Sequence, residues 1–214
     1  MDIVDQALLL LVRDTLGFGR VTAPTTHKGS TKVKLIFSRT ELQELLFPLF
    51  IHHGIFFLTD TRRAQFDLAM FVIANQITQF DMIPSFIPSS PLQPSLPTTP
   101  AGYLDLPFFF HWIVGFTNAE GSFLFKVNGD ACFQLSQRLH LTLFEAIKLV
   151  FKTHRRIGTE LGKYHRLSMS SKADIQSVID FFTQHDTLMG HKLSQYNTWI
   201  MGLRQHPRYH KLNF

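Results

Sequence analysis

Seven of the ten prolines fall between Pro84 and Pro107. Over 85–107 a proline recurs about every third residue, and no charge occurs before Asp105. Proline fixes φ and has no N–H to donate, so this stretch can be neither a helix interior nor a central strand. It is expected to form an extended linker over 84–105, partly polyproline II. The chain must then fold as two pieces, 1–83 and 106–214. With 214 residues, that leaves room for two small subdomains.

Charge divides at the same place. Residues 1–104 hold eight Lys/Arg and eight Asp/Glu, whereas residues 105–214 hold thirteen and eight, which accounts for the whole formal charge of +5. A basic half beside a balanced half points to a polyanion, or else to an ordinary solvated basic surface. The single cysteine, Cys132, excludes a disulfide framework and a cysteine zinc cluster. It sits in an apolar–polar alternation and reads as a small core residue. The eleven histidines show no established ligand spacing, so no structural zinc is expected. The apolar runs 7–12, 45–51 and 108–116 are short of the roughly 20 residues of a membrane span, so no membrane role is expected. The first twelve residues carry acids rather than bases ahead of their apolar run and resemble neither a signal nor a transit peptide. The 22 phenylalanines suit an AT-rich genome. The expected location is a mitochondrion or another organelle, with the protein made there or its targeting segment absent from this chain.

Periodicity gives the elements. In the first piece a helix opens at Asp2 or Asp5 and stops at Gly17. Strands are expected over 18–23 and 32–37, then a helix over 38–50 with Ser38 and Glu41 as a capping box, then one over 59–78. In the second piece the pattern predicts a helix over 108–119, strands over 122–128 and 131–138, and a helix over 142–154. Strands over 158–161 and 164–170 and helices over 173–184 and 192–204 complete it.

The two pieces repeat. SRTELQELLFPLF (38–50) aligns with SKADIQSVIDFFT (171–183), and Arg62-Arg63-Ala64-Gln65-Phe66 aligns with Lys192-Leu193-Ser194-Gln195-Tyr196. The first helix and Gly17 match 142–158. Nothing in the first piece matches 108–137, so the first repeat is expected to lack an apolar helix and two strands.

That unmatched segment carries the chemistry. Its helix reads Trp112-Ile113-Val114-Gly115-Phe116-Thr117-Asn118-Ala119-Glu120-Gly121-Ser122-Phe123. Gly115 and Ala119, four residues apart, form a small-residue seam that lets a second helix approach closely. Glu120 stands at the helix end, and Gly121 permits the turn into the strand. A carboxylate there can hold a divalent metal against a phosphate.

The segment resembles the signature of the LAGLIDADG homing endonucleases and intron maturases, an apolar helix ending in Ala-acid-Gly and running into a strand. The resemblance implies an α+β fold of tandem, pseudo-twofold repeats, with saddle-like antiparallel sheets packed against helices and the first repeat incomplete. It also implies that two motif helices pack side by side and that their carboxylates, here Glu120 alone, hold Mg2+. A basic residue followed three on by Gln lies near the cut site in that family, which matches Lys192 and Gln195. Asn118 departs from the acid often found two residues before the metal ligand.

Residues expected to touch nucleic acid are Lys32 and Lys34 of the alternating strand, Arg62, and Lys126, Gln134, Arg138, His165 and Arg166 on or beside the later strands. Arg155, Arg156, Arg204, Arg208 and Lys211 are the phosphate candidates. Three functions compete. The first is a binding protein, with RNA as the expected target, acting as a maturase or a domesticated organellar ribosomal component without cutting both DNA strands alone. The second is an active endonuclease completed by a second polypeptide, or by a dimer, that supplies the missing motif helix. The third is a basic structural protein.

Overall fold

A computed structural model describes residues 1–27 and 29–214 of the chain. They form two compact units, Met1–Leu96 and Pro97–Phe214.

The first unit opens with a single turn, Ile3–Asp5, leading into helix α1 (Gln6–Leu16). The helix stops where expected. Gly17 takes the left-handed conformation, φ 77°, and its amide reaches Arg13 O at 2.8 Å. Four short strands follow: β1 (Arg20–Val21), β2 (Thr25–His27), β3 (Ser30–Lys32) and β4 (Leu35–Ile36). They pair antiparallel as β1 with β4 and β2 with β3. Two strands were expected here. The Thr-rich β2–β3 arm lacks an apolar alternation, so periodicity does not reveal it. Met1 pairs along the other side of the ladder, donating to Val33 O at 2.8 Å and accepting from Val33 N at 3.1 Å.

Helix α2 (Arg39–Glu41) widens into a π turn, Leu42–Leu46, before α3 (Phe47–His52). Pro48 sits in the first turn of α3. Its ring crowds the carbonyl four residues back, at Glu44, and the wider turn relieves that crowding. Helix α4 (Asp60–Ala74) ends the regular part of the unit.

The proline-rich stretch is not a free spacer. Ser90 N donates to Asp67 Oδ1 at 2.8 Å, and Gln93 Nε2 reaches the same oxygen at 2.6 Å and Arg63 O at 3.0 Å. Arg63 Nη2 returns a bond to Pro94 O at 2.7 Å. The segment is thereby fastened to α4. Further on, Pro100–Leu104 form the short helix α5, capped by Thr99, with Pro100 in the first turn where its missing N–H costs nothing. Tyr103 of α5 is fully buried.

The second unit builds around one sheet. Helix α6 (Phe109–Glu120) leads into β5 (Ser122–Phe125) and β6 (Ala131–Arg138), then α7 (Leu141–Val150), β7 (Ile157–Glu160) and β8 (Tyr164–Met169). Helices α8 (Lys172–Gln184) and α9 (Gly190–Gln205) close the unit. The sheet is antiparallel throughout, in the order β5-β6-β8-β7. One face is apolar and covered by helices. Phe133 and Leu135 of β6 stand opposite Met169 and Leu167 of β8, and all four are fully buried. Phe133 also meets Phe123, Phe151 and Phe182 at ring distances of 4.9 to 6.0 Å. The opposite face carries the alternate residues, among them Gln134, Ser136 and Arg138 of β6 and Ser168, Arg166 and Tyr164 of β8. This α+β arrangement of helix-backed antiparallel sheets is the architecture expected from the sequence. β5 is shorter than expected because a turn begins at Lys126. Val127, placed by alternation beside Phe123, is instead fully exposed in that turn.

No helix among the described residues is long and apolar enough to cross a membrane.

Candidate nucleic-acid interface and motif-helix site

The end of α6 is built tightly. Ile113, Val114, Phe116 and Thr117 are buried on its inner side. Gly121 then turns the chain into β5. A Cβ on Gly121 would lie 2.7 Å from Thr117 O and 2.6 Å from its methyl carbon, so no other residue fits there without displacing the helix end. His111, Gly115 and Ala119 are exposed along one stripe of the helix, with open space above Gly115. Glu120 is exposed at the last position of α6.

Helix α9 brings its first turn to this point. Lys192 Nζ donates to Gly121 O at 2.6 Å and to Gln195 Oε1 at 2.9 Å. Gln195 Nε2 lies 3.0 Å from His191 Nε2. The structure therefore brings Lys192 and Gln195 together and anchors them to the residue that follows Glu120. Beside them runs an open groove of about 550 Å³ between β5 and α9, lined by Ser122, Leu124, Lys192, Gln195 and Thr198 among others. Tyr196, behind the groove, has its hydroxyl pKa pushed up to about 12 by burial and the charge of Asp180. It stays a neutral phenol at any physiological pH.

The first unit carries the same local pairing at the aligned residues. Arg62 Nη1 donates to Gln65 Oε1 at 2.7 Å, on an exposed face of α4. It has no counterpart of α6 among the described residues of that unit.

The polar face of the second sheet follows from its register. Gln134 stands opposite Ser168, Ser136 opposite Arg166 and Arg138 opposite Tyr164. Ser168 Oγ donates to Gln134 Oε1 at 3.3 Å, and Arg166 is paired with Glu160 of β7. Lys126 is exposed in the turn after β5. Gln134, Arg138 and Arg166 thus share one face of the sheet, and Lys126 lies in the turn beyond β5. Ser136, Ser168 and Tyr164 share the face and were missed, although period-two alternation from Gln134 would have found them.

His165 lies apart from that face. It lies opposite Gln137 on the helix-covered side, where its Nδ1 accepts from His140 N at 2.9 Å and its ring meets Phe144 at 5.8 Å. A neighbouring backbone amide and an aromatic ring hold the half-buried imidazole in place.

Arg155 is tied to a buried carboxylate. Its Nε donates to Asp174 Oδ2 at 2.8 Å, while Thr153 Oγ1 donates to the other carboxylate oxygen at 2.7 Å. Burial works against the Asp174 charge, but bonds from Arg155, Thr153 and Ser171 outweigh it and hold its pKa down to about 2. Arg156 is exposed next to it. At the C-terminal end Arg208 pairs with Asp130, Arg204 lies over the Phe214 ring at 5.0 Å, and Lys211 is exposed. In the first unit Lys32 pairs with Asp2 at 3.3 Å, and Lys34 is exposed on the short ladder. Cys132 is buried, and burial pushes its thiol pKa up, which fits an inert core residue.

Among the described residues, no group of three or more His, Cys, Asp or Glu side chains is placed to hold a metal ion. Glu120 offers one carboxylate, and the adjacent Gly121 carbonyl is occupied by Lys192. Mg2+ commonly takes one or two carboxylates and completes its shell with water and substrate phosphates. The donor set here fits Mg2+ as part of a site that a phosphate completes.

The α+β fold, with antiparallel sheets packed against helices, is like that of the LAGLIDADG meganucleases. Residues 113–202, from α6 to α9, match the model of the LAGLIDADG endonuclease family. Solved structures agree over nearly the whole chain. The meganuclease I-SmaMI, bound to uncleavable DNA, superposes with a TM-score of 0.73 at 18% identity, covering 98% of this chain and 80% of that one. The LAGLIDADG meganuclease I-CpaMI, bound to uncleaved DNA, gives 0.66 at 17% identity over 94% and 77%. The LAGLIDADG homing endonuclease I-LtrWI, bound to target DNA, gives 0.69 at 16% identity over 94% and 76%.

Proposed function

We propose that the chain is a nucleic-acid-binding protein of the LAGLIDADG endonuclease family that holds its target on the polar face of the second sheet and does not cut both strands of DNA by itself. The observation that carries this reading is the joint placement of Glu120, Lys192 and Gln195 at one end of α6, beside a sheet face that offers Gln134, Arg138 and Arg166. Arg and Gln on a sheet suit base edges and phosphates, and Lys126 and Arg156 extend the positive charge beyond it. Glu120 would hold Mg2+ against a phosphate, where the ion supplies charge neutralisation at the phosphoryl oxygens. Lys192 adds a fixed positive charge next to that carboxylate. The described residues present one such carboxylate, and breaking two strands needs a second.

DNA is the target that the likeness to DNA-bound meganucleases favours. RNA, in a maturase or an organellar ribosome, is the competing target. The two separate in a binding assay with DNA duplex, RNA duplex and single-stranded RNA at several salt concentrations. Binding tightest to DNA duplex and weakened steeply by salt supports the DNA reading. Preference for RNA moves the protein to the splicing or ribosomal role, and no salt-sensitive binding to any of the three overturns the proposal.

The exposed stripe at His111, Gly115 and Ala119 favours a second reading, in which another polypeptide lays its own motif helix on α6 and completes the nuclease. Filling the seam with Gly115→Leu should then abolish any two-strand cleavage seen with such a partner while sparing binding. Cleavage that survives Gly115→Leu would sink it.

A further inference from the structure

We propose that Asn118 is a positioning residue that sets Lys192 against the end of the motif helix. The proposal rests on the reading of that helix end as the working site. Asn118 stands two residues before Glu120, and both ends of its amide are engaged. Nδ2 donates to Val114 O at 3.1 Å, one turn back, which fixes the orientation of the amide plane. Oδ1 then faces away from α6 and accepts from Met189 N at 2.9 Å.

Met189 is the N-cap of α9, and Lys192 is the third residue of that helix. No side chain of the N-cap holds the first turn, and Gly190 passes through φ 56° just inside it. The bond from Asn118 therefore supplies an anchor that the helix start lacks locally. Lys192 completes the circuit by donating to Gly121 O at 2.6 Å, back on the segment that α6 feeds. The two bonds, Asn118 to Met189 and Lys192 to Gly121, form a closed brace between the last turn of α6 and the first turn of α9. An acid at position 118 would accept from Met189 N but could not donate to Val114 O, and it would set a second negative charge beside Glu120. The amide braces without adding charge.

The test reads Lys192 directly and does not depend on cleavage. The purified chain is treated with a limiting amine-acetylating reagent, and each lysine is followed by mass spectrometry. Lys192 should react more slowly than the exposed Lys126 and Lys172. Asn118→Ala should raise the Lys192 rate by about two- to tenfold, the range for losing one ordinary hydrogen bond, with Lys126 and Lys172 unchanged. Asn118→Asp, which keeps the acceptor for Met189 N, should stay near the wild-type rate. A Lys192 rate that does not move in Asn118→Ala, or that rises only together with every other lysine, overturns the proposal. Failure of the wild-type chain to bind DNA or RNA would sink the functional reading and leave the labelling result standing.

Discussion

The two units use the same local devices and differ in what those devices support. Ser38 and Glu41 form a reciprocal capping box, and so do Ser171 and Asp174. Arg62 pairs with Gln65, as Lys192 does with Gln195. Yet the first unit buries only a few large apolar side chains, among them Leu9, Val33, Leu46, Phe47, Leu58 and Phe66, while Val4, Leu11, Leu45, Leu49 and Ile51 are exposed. The second unit buries a continuous set running through α6, β6, α7, β8 and α8. The elements that the second unit has and the described first unit lacks, α6 with β5 and β6, are those that cover this core. The same sequence devices thus give a packed, site-bearing unit in one case and a thinly covered one in the other.

The largest effect expected from this contrast is on stability. Phe133→Ala opens a cavity among Phe123, Phe151 and Phe182 and should cost about 3–5 kcal/mol. Leu45→Ala, at an exposed position of the first unit, should stay within about 0.5 kcal/mol. Denaturant titration of both variants measures the difference, and equal losses would erase the distinction between the units.

Next come the two capping carboxylates. Asp174 is buried and its pKa lies at about 2 in the folded chain against an ordinary 3.8. A lowered folded pKa means stability that is full above about pH 4 and is lost as the pH falls toward 2. Asp174→Asn should therefore cost about 2 kcal/mol at neutral pH, with the gap to wild type closing on acidification. Glu41 is also lowered, by the Ser38 and Gly19 amides, but it is less buried than Asp174. Glu41→Gln should give the same sign with a smaller loss. A larger loss from Glu41→Gln would reverse the comparison.

On binding, Arg138→Ala and Lys126→Ala should each weaken nucleic-acid affinity and reduce the salt slope by about one. His165→Ala should lower stability through the lost bond with His140 and leave the salt slope alone. The smallest effect expected is from Gln65→Ala, since the Arg62 pair is exposed and worth well under about 1 kcal/mol.

Much of this was legible in the sequence because its physical causes are local. Ser-x-x-acid marks a capping box wherever it occurs, and Ala119-Glu120-Gly121 marks a helix end turning into a strand. Lys192 and Gln195 were singled out by the resemblance to the family pattern, and their spacing of three along α9 lets the two side chains meet. Three things were hidden because they depend on the fold. His165 and Arg166 are adjacent and both polar, and only the register with β6 tells which one faces the helices. The proline-rich segment looked detached because Asp67 and Arg63, which fasten it, lie far from it along the chain. Asn118 read as a departure from the motif, and its partner at Met189 is 71 residues away.

We propose that the second unit binds nucleic acid and that this chain, whose described residues offer the one motif carboxylate Glu120, does not cut both strands alone. Incubating the chain with Mg2+ and a pool of random DNA duplexes, then sequencing the retained molecules and their strand ends, tests both parts at once. A retained, sequence-enriched pool with no paired breaks is expected, with loss of retention when Lys126, Arg138 and Arg166 are all changed to Ala. Paired breaks at a fixed sequence made by this chain alone, or retention indifferent to those three residues, would contradict it.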